Sequence, residues 1–152
     1  MGRDCETLRV VDPHRLFTIL NSATLAGWVL LWLVPRARVT QRLVYSGVFS
    51  LLLSAIYLAI LLPHFTMEDL RAFNSLEGVM RLFQNPWVML AGWVHYLAFD
   101  LWVGAWIGRD AAARGCSRLL VVPCQVLTLM LGPVGLLVYV ALVRRALPSG
   151  RP

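Results

Sequence analysis

The sequence contains no lysine at all: its 14 basic residues are all arginines. Charged residues of both signs make up only 14% of the chain, where ordinary soluble domains carry about 25%. That is too little to clothe a water-facing surface on 152 residues of which 59% are apolar. Cysteine is also scarce. Cys5, Cys116 and Cys124 give neither a disulfide framework nor paired metal-ligand spacing, so no metal site is expected. The net charge of +6 sits in short arginine clusters between apolar runs, which excludes the basic face of a folded soluble domain that nucleic-acid binding requires. The first 15 residues are polar and mixed in charge, unlike a cleavable signal, and Glu6 stands where N-myristoylation needs serine or threonine.

What the chain does have is four apolar runs, at 16–34, 43–62, 87–107 and 119–143, none with an arginine or glutamate. Each holds about 19–25 residues, the length of a helix that crosses roughly 30 Å of hydrocarbon. The expected fold is all-α: an integral membrane four-helix bundle over 16–143, with a polar tail (1–15) and a basic tail (144–152). Four crossings place both termini on one side. Six arginines then lie in loops one and three and eight on the opposite side, so the positive-inside rule leaves the orientation open. In loop two, Leu70, Phe73, Leu76, Val79, Met80 and Phe83 recur at helical spacing, which predicts an interfacial amphipathic helix within 67–84. Thr66 before Asp69 and Asn74 before Glu77 resemble N-caps, and Asn85-Pro86 closes the segment.

Polar residues at helical spacing mark the inward faces of the runs. Asn21, Thr24 and Trp28 share one face; Gly47, Ser50, Ser54 and Tyr57 share another; Cys124, Gln125, Thr128, Gly132 and Tyr139 form a third, interrupted by Pro133. Helix packing is the leading reading of these stripes and pocket lining the minority one. The third run differs, because His95 and Asp100 fall near its middle. An aspartate there costs on the order of 2.5–3.5 kcal/mol, which makes it a functional candidate by default. Five residues are about 140° around a helix and roughly 7.5 Å along it, so the two side chains form no intimate dyad. His95 shares its face with Phe99, Trp102 and Trp106, and Asp100 shares its own with Trp93, Tyr96 and Gly104. Matching depth across antiparallel helices brings Asn21, Tyr57 and His95 toward the loop-two side and Asp100, Gln125 and Thr128 toward the other half. The result is an elongated cleft suited to a long lipid.

These residues carry a resemblance. Leu76-Glu77-Gly78, Arg81-Leu82-Phe83, the block from Gly92 to Leu101 (GWVHYLAFDL), Pro123-Cys124 and Gly132-Pro133-Val134-Gly135 resemble the plant neoxanthin-synthase-like family, whose founding member is named for abscisic acid deficiency and whose bacterial relatives form a domain of unknown function. Val34-Pro35-Arg36-Ala37-Arg38-Val39-Thr40 fits the same pattern, and the match runs from about residue 17 to 142. The resemblance implies a four-helix membrane protein of carotenoid metabolism, related to the conversion of violaxanthin to neoxanthin, with no cofactor. The arginine-only basic set suggests a GC-rich bacterial genome and hence a bacterial inner (cytoplasmic) membrane.

Two functions follow as expectations. The first is isomerisation of an epoxide-type carotenoid end group, a redox-neutral reaction within reach of one acid and one base. Burial favours the neutral form of each group, so Asp100 is the expected acid and His95 the expected base. Asn21, Tyr57, Trp93, Tyr96, Gln125 and Thr128 are expected to bind substrate, and Glu77 with Arg81 to hold a polar end group. The alternative is a non-enzymatic carotenoid or lipid binder, or an accessory subunit. Expected partners are a carotenoid or other long apolar substrate, membrane lipid, and carotenoid-pathway enzymes or a second copy of the chain. A bis-histidine haem is disfavoured because only His95 lies deep, with His14 and His64 at membrane edges.

Overall fold

Asp12 and Pro13 start the first helix. The Asp12 side chain accepts from the His14 amide at 3.1 Å, and proline occupies the first helical position, where no amide hydrogen is needed. This helix, α1 (Pro13–Leu33), opens a computed structural model that describes residues 12–145; the rest of the expected tails lies outside the described residues. Two side chains from the following turn close its C-terminal end. Thr40 Oγ1 donates to the Val34 carbonyl and Gln41 Nε2 to that of Pro35, both at 2.7 Å. The second run begins as α2 (Arg38–Thr40), widens into a π-helical turn (Gln41–Tyr45), breaks at Gly47 (φ 83°) and continues as α3 (Val48–Leu61).

Loop two forms two short helices, α4 (Asp69–Ala72) and α5 (Leu76–Leu82), in place of one continuous amphipathic helix. Thr66 and Asp69 form the expected cap: Thr66 donates through its amide (2.7 Å) and hydroxyl (2.9 Å) to Asp69 Oδ2. The second cap falls one residue later than expected. Ser75, in extended conformation, accepts from the Gly78 amide at 3.1 Å, and this interrupts the helix. Leu70, Phe73, Leu76, Met80 and Phe83 are all exposed.

Asn85 caps α6 (Pro86–Ala113), the axis of the molecule. Its most apolar window is 56% buried, against 28% for the windows in α1 and in the 38–64 segment. Parallel α1 meets it at Phe17–Trp93 (ring centroids 5.5 Å apart). Antiparallel α3 meets it at Tyr57–His95 (5.7 Å), and the adjoining turn at His64–Trp87 (4.8 Å). These three segments (Pro13–Leu33, Arg38–His64 and Pro86–Ala113) are long and apolar enough to cross a bilayer.

The fourth run corrects the expectation. The stretch 119–143 is a hairpin of α7 (Arg118–Leu131) and α8 (Pro133–Val138), the latter extended by a π-helical turn (Tyr139–Arg144). Neither arm has the roughly 20 residues a crossing needs. Gly132 adopts φ 48°, ψ −99°, a backbone state closed to most side chains, and Pro133 removes the next amide, so the helix must end and turn there. The arms pack closely because Gly135 has no side chain. A Cβ there would collide with the amide and hydroxyl of Thr128 and with the Cys124 carbonyl. Val121, Cys124, Tyr139 and Val143 from the two arms share one core cluster with Ile107 and Ala111 of α6. The tip therefore reaches only to Asp100, midway along α6, and the chain returns to the end where α7 began. Arg145 and Pro13 lie at opposite ends of the bundle, contrary to the expected placement of both termini on one side.

Candidate functional site

The two faces of α6 separate as helical geometry dictates, and each meets a different neighbour. Trp93, Tyr96, Asp100 and Gly104 run down one side. Trp93 and Tyr96 stack with centroids 5.5 Å apart, and Phe17 of α1 lies 5.5 Å from Trp93. At the end of this aromatic row, Asp100 meets the hairpin tip. A Cβ at Gly132 would stand 3.1 Å from Asp100 Oδ1 and 3.6 Å from the Tyr96 ring. Asp100 is 9% exposed, and its Oδ2 is buried without a hydrogen-bond partner. Buried polar atoms are nearly always paired, so such an orphan calls for an explanation.

Tyr96 shows how the tip is held. Pro133 has no amide hydrogen to offer the Leu129 carbonyl four residues earlier, and the Tyr96 hydroxyl donates to that carbonyl at 3.3 Å. The helix break and the acid thus share one neighbour. A carboxyl group in such a setting is costly to keep without a partner.

His95 lies on the other side. It is exposed, stacks on Phe99 at 4.6 Å and meets Tyr57 of α3 edge-on. Tyr57 and His95 come together as the depth argument expects. Asn21 is half-buried on α1, and its side chain makes no hydrogen bond among the described residues. The structure does not bring His95 and Asp100 together: one faces α3, the other the hairpin.

Gln125 and Thr128 are occupied by the fold. Gln125 Nε2 donates to the Gly104 carbonyl at 2.9 Å, joining α7 to α6, and Thr128 Oγ1 donates to Cys124 at 2.9 Å beneath Gly135. Glu77 and Arg81 are exposed on α5 and form no ion pair with each other. Among the described residues no three His, Cys, Asp or Glu side chains gather into a metal-binding group.

Sequence reasoning missed Asp110. Its carboxylate takes the Arg114 guanidinium at 2.8 Å, the Tyr139 hydroxyl at 2.7 Å and Arg144 at 3.3 Å. Arg144 also covers the Trp106 ring, 5.6 Å from its centroid. Only the Asp110/Arg114 spacing was visible in advance, since Tyr139 and Arg144 reach this end through the hairpin.

Comparison with known proteins gives one consistent result. A family model described as ABA DEFICIENT 4-like matches residues 15–139. "Protein ABA DEFICIENT 4, chloroplastic" of Arabidopsis thaliana is 26% identical over 102 residues, covering 62% of this chain and 46% of that protein. The chain thus matches a little under half the length of this relative. No solved structure matches.

Proposed function

Because the chain belongs to the ABA DEFICIENT 4-like family, we propose that it is a membrane protein acting on a carotenoid or similar long polyene, with Asp100 as the proton-transferring group. The observation that carries this reading is the buried, unpartnered Asp100 Oδ2 beside the helix break. A carboxylic acid so placed has a proton to give, with the Tyr96 hydroxyl as its polar neighbour. The reaction it suits is isomerisation of an epoxide end group. Asp100 protonates the oxygen, the C–O bond opens to an alcohol, and the resulting carboxylate removes a proton from the adjacent polyene carbon. One group serves as acid and then as base, and no electrons enter or leave. In this reading His95, on another face of α6, takes no part in the step. With Tyr57 and Phe99 it offers an aromatic seat for the apolar chain instead.

In the membrane, the three long helices cross and the hairpin enters from one side and returns. Its irregular tip is tolerated at mid-depth because α6 covers it. With this topology the arginines of the described residues divide eight against three. Arg36, Arg38, Arg42, Arg109, Arg114, Arg118, Arg144 and Arg145 lie at one end, and Arg15, Arg71 and Arg81 at the other. The positive-inside rule then assigns loops one and three to the cytoplasmic side or its organellar equivalent. The relative is described as chloroplastic, which lends no support to a bacterial membrane in particular.

The test is expression in membranes supplied with epoxy-xanthophylls and no other carotenoid enzyme, with pigments resolved by chromatography. Appearance of an isomer of equal mass in the wild type, lost in Asp100→Asn at equal folded yield, supports the assignment. Pigment bound stoichiometrically but unaltered by wild type would favour the binding or accessory reading, for which the exposed aromatic face of His95 and Phe99 is the supporting feature.

A further inference from the structure

The end of the bundle that carries loops one and three contains a cavity of about 480 Å³ between the end of α1, the π-helical turn before α3, the end of α6 and the start of α7. Three arginines from three separate segments line it: Arg36, Arg109 and Arg118. No acidic residue does. Asp110, the one acidic residue at this end among the described residues, is already engaged by Arg114 and Arg144 outside the cavity. The three arginines therefore border one space with no acidic residue in its lining.

Two of them are held in place by backbone. Arg109 donates to the Tyr45 carbonyl and Arg118 to that of Trp32, both at ends of helical segments where carbonyls lack helical partners. A guanidinium offers five N–H donors; one N–H on a carbonyl fixes the fork and leaves the others available. Arg36 makes no such bond among the described residues. Leu31 and Val121 supply an apolar wall on the membrane side. Arg38 and Arg42 belong to the same basic loop, yet they do not line the cavity. Mere flanking of a membrane gives no reason for that division.

The geometry points to a binding site for a phosphate group, with Arg36, Arg109 and Arg118 as its donors. Planar guanidinium forks match phosphate oxygens two at a time and hold them more strongly than neutral donors do. The phosphate belongs either to a lipid headgroup, whose acyl chain would follow the apolar wall, or to a free anion from solution. Anionic lipids of the cytoplasmic leaflet are available at this end in the orientation given above. The site is independent of Asp100 and of any reaction there.

The experiment uses the full chain, delipidated in a neutral maltoside detergent. Short-chain phosphatidylglycerol and inorganic phosphate are titrated separately, with binding read by intrinsic tryptophan fluorescence and by native mass spectrometry. Phosphatidylglycerol bound at least about tenfold more tightly than inorganic phosphate identifies the lipid headgroup; comparable affinities identify the free anion; either supports the site. Arg36→Gln and Arg118→Gln are each expected to weaken binding about tenfold, the size of one charge-assisted hydrogen bond. Arg36 holds no backbone carbonyl, so its variant keeps the test valid if Arg118→Gln fails to fold. Arg38→Gln removes the same charge from the same loop outside the cavity and is expected to change nothing. No binding of either probe overturns the proposal. So does a loss in Arg38→Gln equal to that in Arg36→Gln, which would reduce the effect to general surface charge.

Discussion

Tyr139 and Asp110, 29 residues apart, are joined by a 2.7 Å hydrogen bond from phenol to carboxylate. The bond closes the C-terminal arm against the end of α6 that carries Asp110 and fixes the direction of the whole hairpin. Tyr139 is fully buried, while Arg144, which shares the same carboxylate, keeps 41% of its side chain exposed. The two partners are therefore expected to differ in weight. Tyr139→Phe should destabilise by about 1.5–3 kcal/mol, as for a hydrogen bond to a charged group. Arg144→Ala should cost no more than about 1 kcal/mol, the range of exposed ion pairs. Unfolding in mixed micelles measures both, and equal losses would contradict the picture of a buried latch with an exposed accessory.

The hairpin places the C-terminal arm at the end bearing loops one and three. Single cysteines introduced at Arg145, at Arg38 and at Glu68 in a cysteine-free background can be labelled in sealed vesicles with an impermeant maleimide. The expected pattern is Arg145 with Arg38, and Glu68 opposite. Arg145 labelling with Glu68 would restore a fourth crossing and reject the doubled-back run.

Gly135 tests the contact between the arms. Alanine there drives a methyl into the Thr128 backbone, where no flexible side chain can give way. Overpacking of this kind typically costs about 1–3 kcal/mol, occasionally more. Gly135→Ala should lower the thermal midpoint and raise hydrogen exchange in 118–144 while leaving α1 and α3 protected. Unchanged exchange in the hairpin would show that the arms do not meet there.

Asp100 should behave in the opposite way to a structural residue. Its Oδ2 is unpartnered, and asparagine, nearly identical in shape, keeps an acceptor for the neighbouring Tyr96 hydroxyl, so Asp100→Asn should leave thermal stability close to wild type. Loss of the proton-transferring group should remove about 10²–10⁴ of the turnover. His95→Gln is expected to raise KM with kcat nearly unchanged, because His95 stacks on Phe99 and meets Tyr57 edge-on, away from Asp100. A drop in kcat for His95→Gln as large as that for Asp100→Asn would return His95 to the reaction.

The helical class, the three long segments and the two-faced third run were legible because composition and a 3.6-residue period determine them. Residues 93, 96, 100 and 104 share a face in any helix, whatever surrounds it. The fate of 119–143 was not legible in the same way. Its length suits one crossing, and hydropathy takes no account of the backbone state at Gly132, which depends on Tyr96 accepting the task of satisfying Leu129. The packing partners of Gln125 and Thr128 were hidden for a related reason. Both lie on an inward stripe, but the stripe faces Gly104 and the second arm, a partner that exists only once the chain has turned. In loop two, the sequence placed a cap at Asn74 and passed over Ser75, where the local cap outweighs a continuous helix.

The doubled-back segment also has a consequence for biogenesis. As it leaves the ribosome, 119–143 is apolar enough to be taken for one more crossing, and inserted so it would carry the C-terminus to the wrong side. The hairpin must either be refused by the insertion machinery or fold afterwards onto α6, whose Tyr96 and Asp110 then receive it. Gly132 and Pro133 thus hold a decision about sidedness that two substitutions to leucine would reopen, and a population of mixed topology would be the mark of that competition.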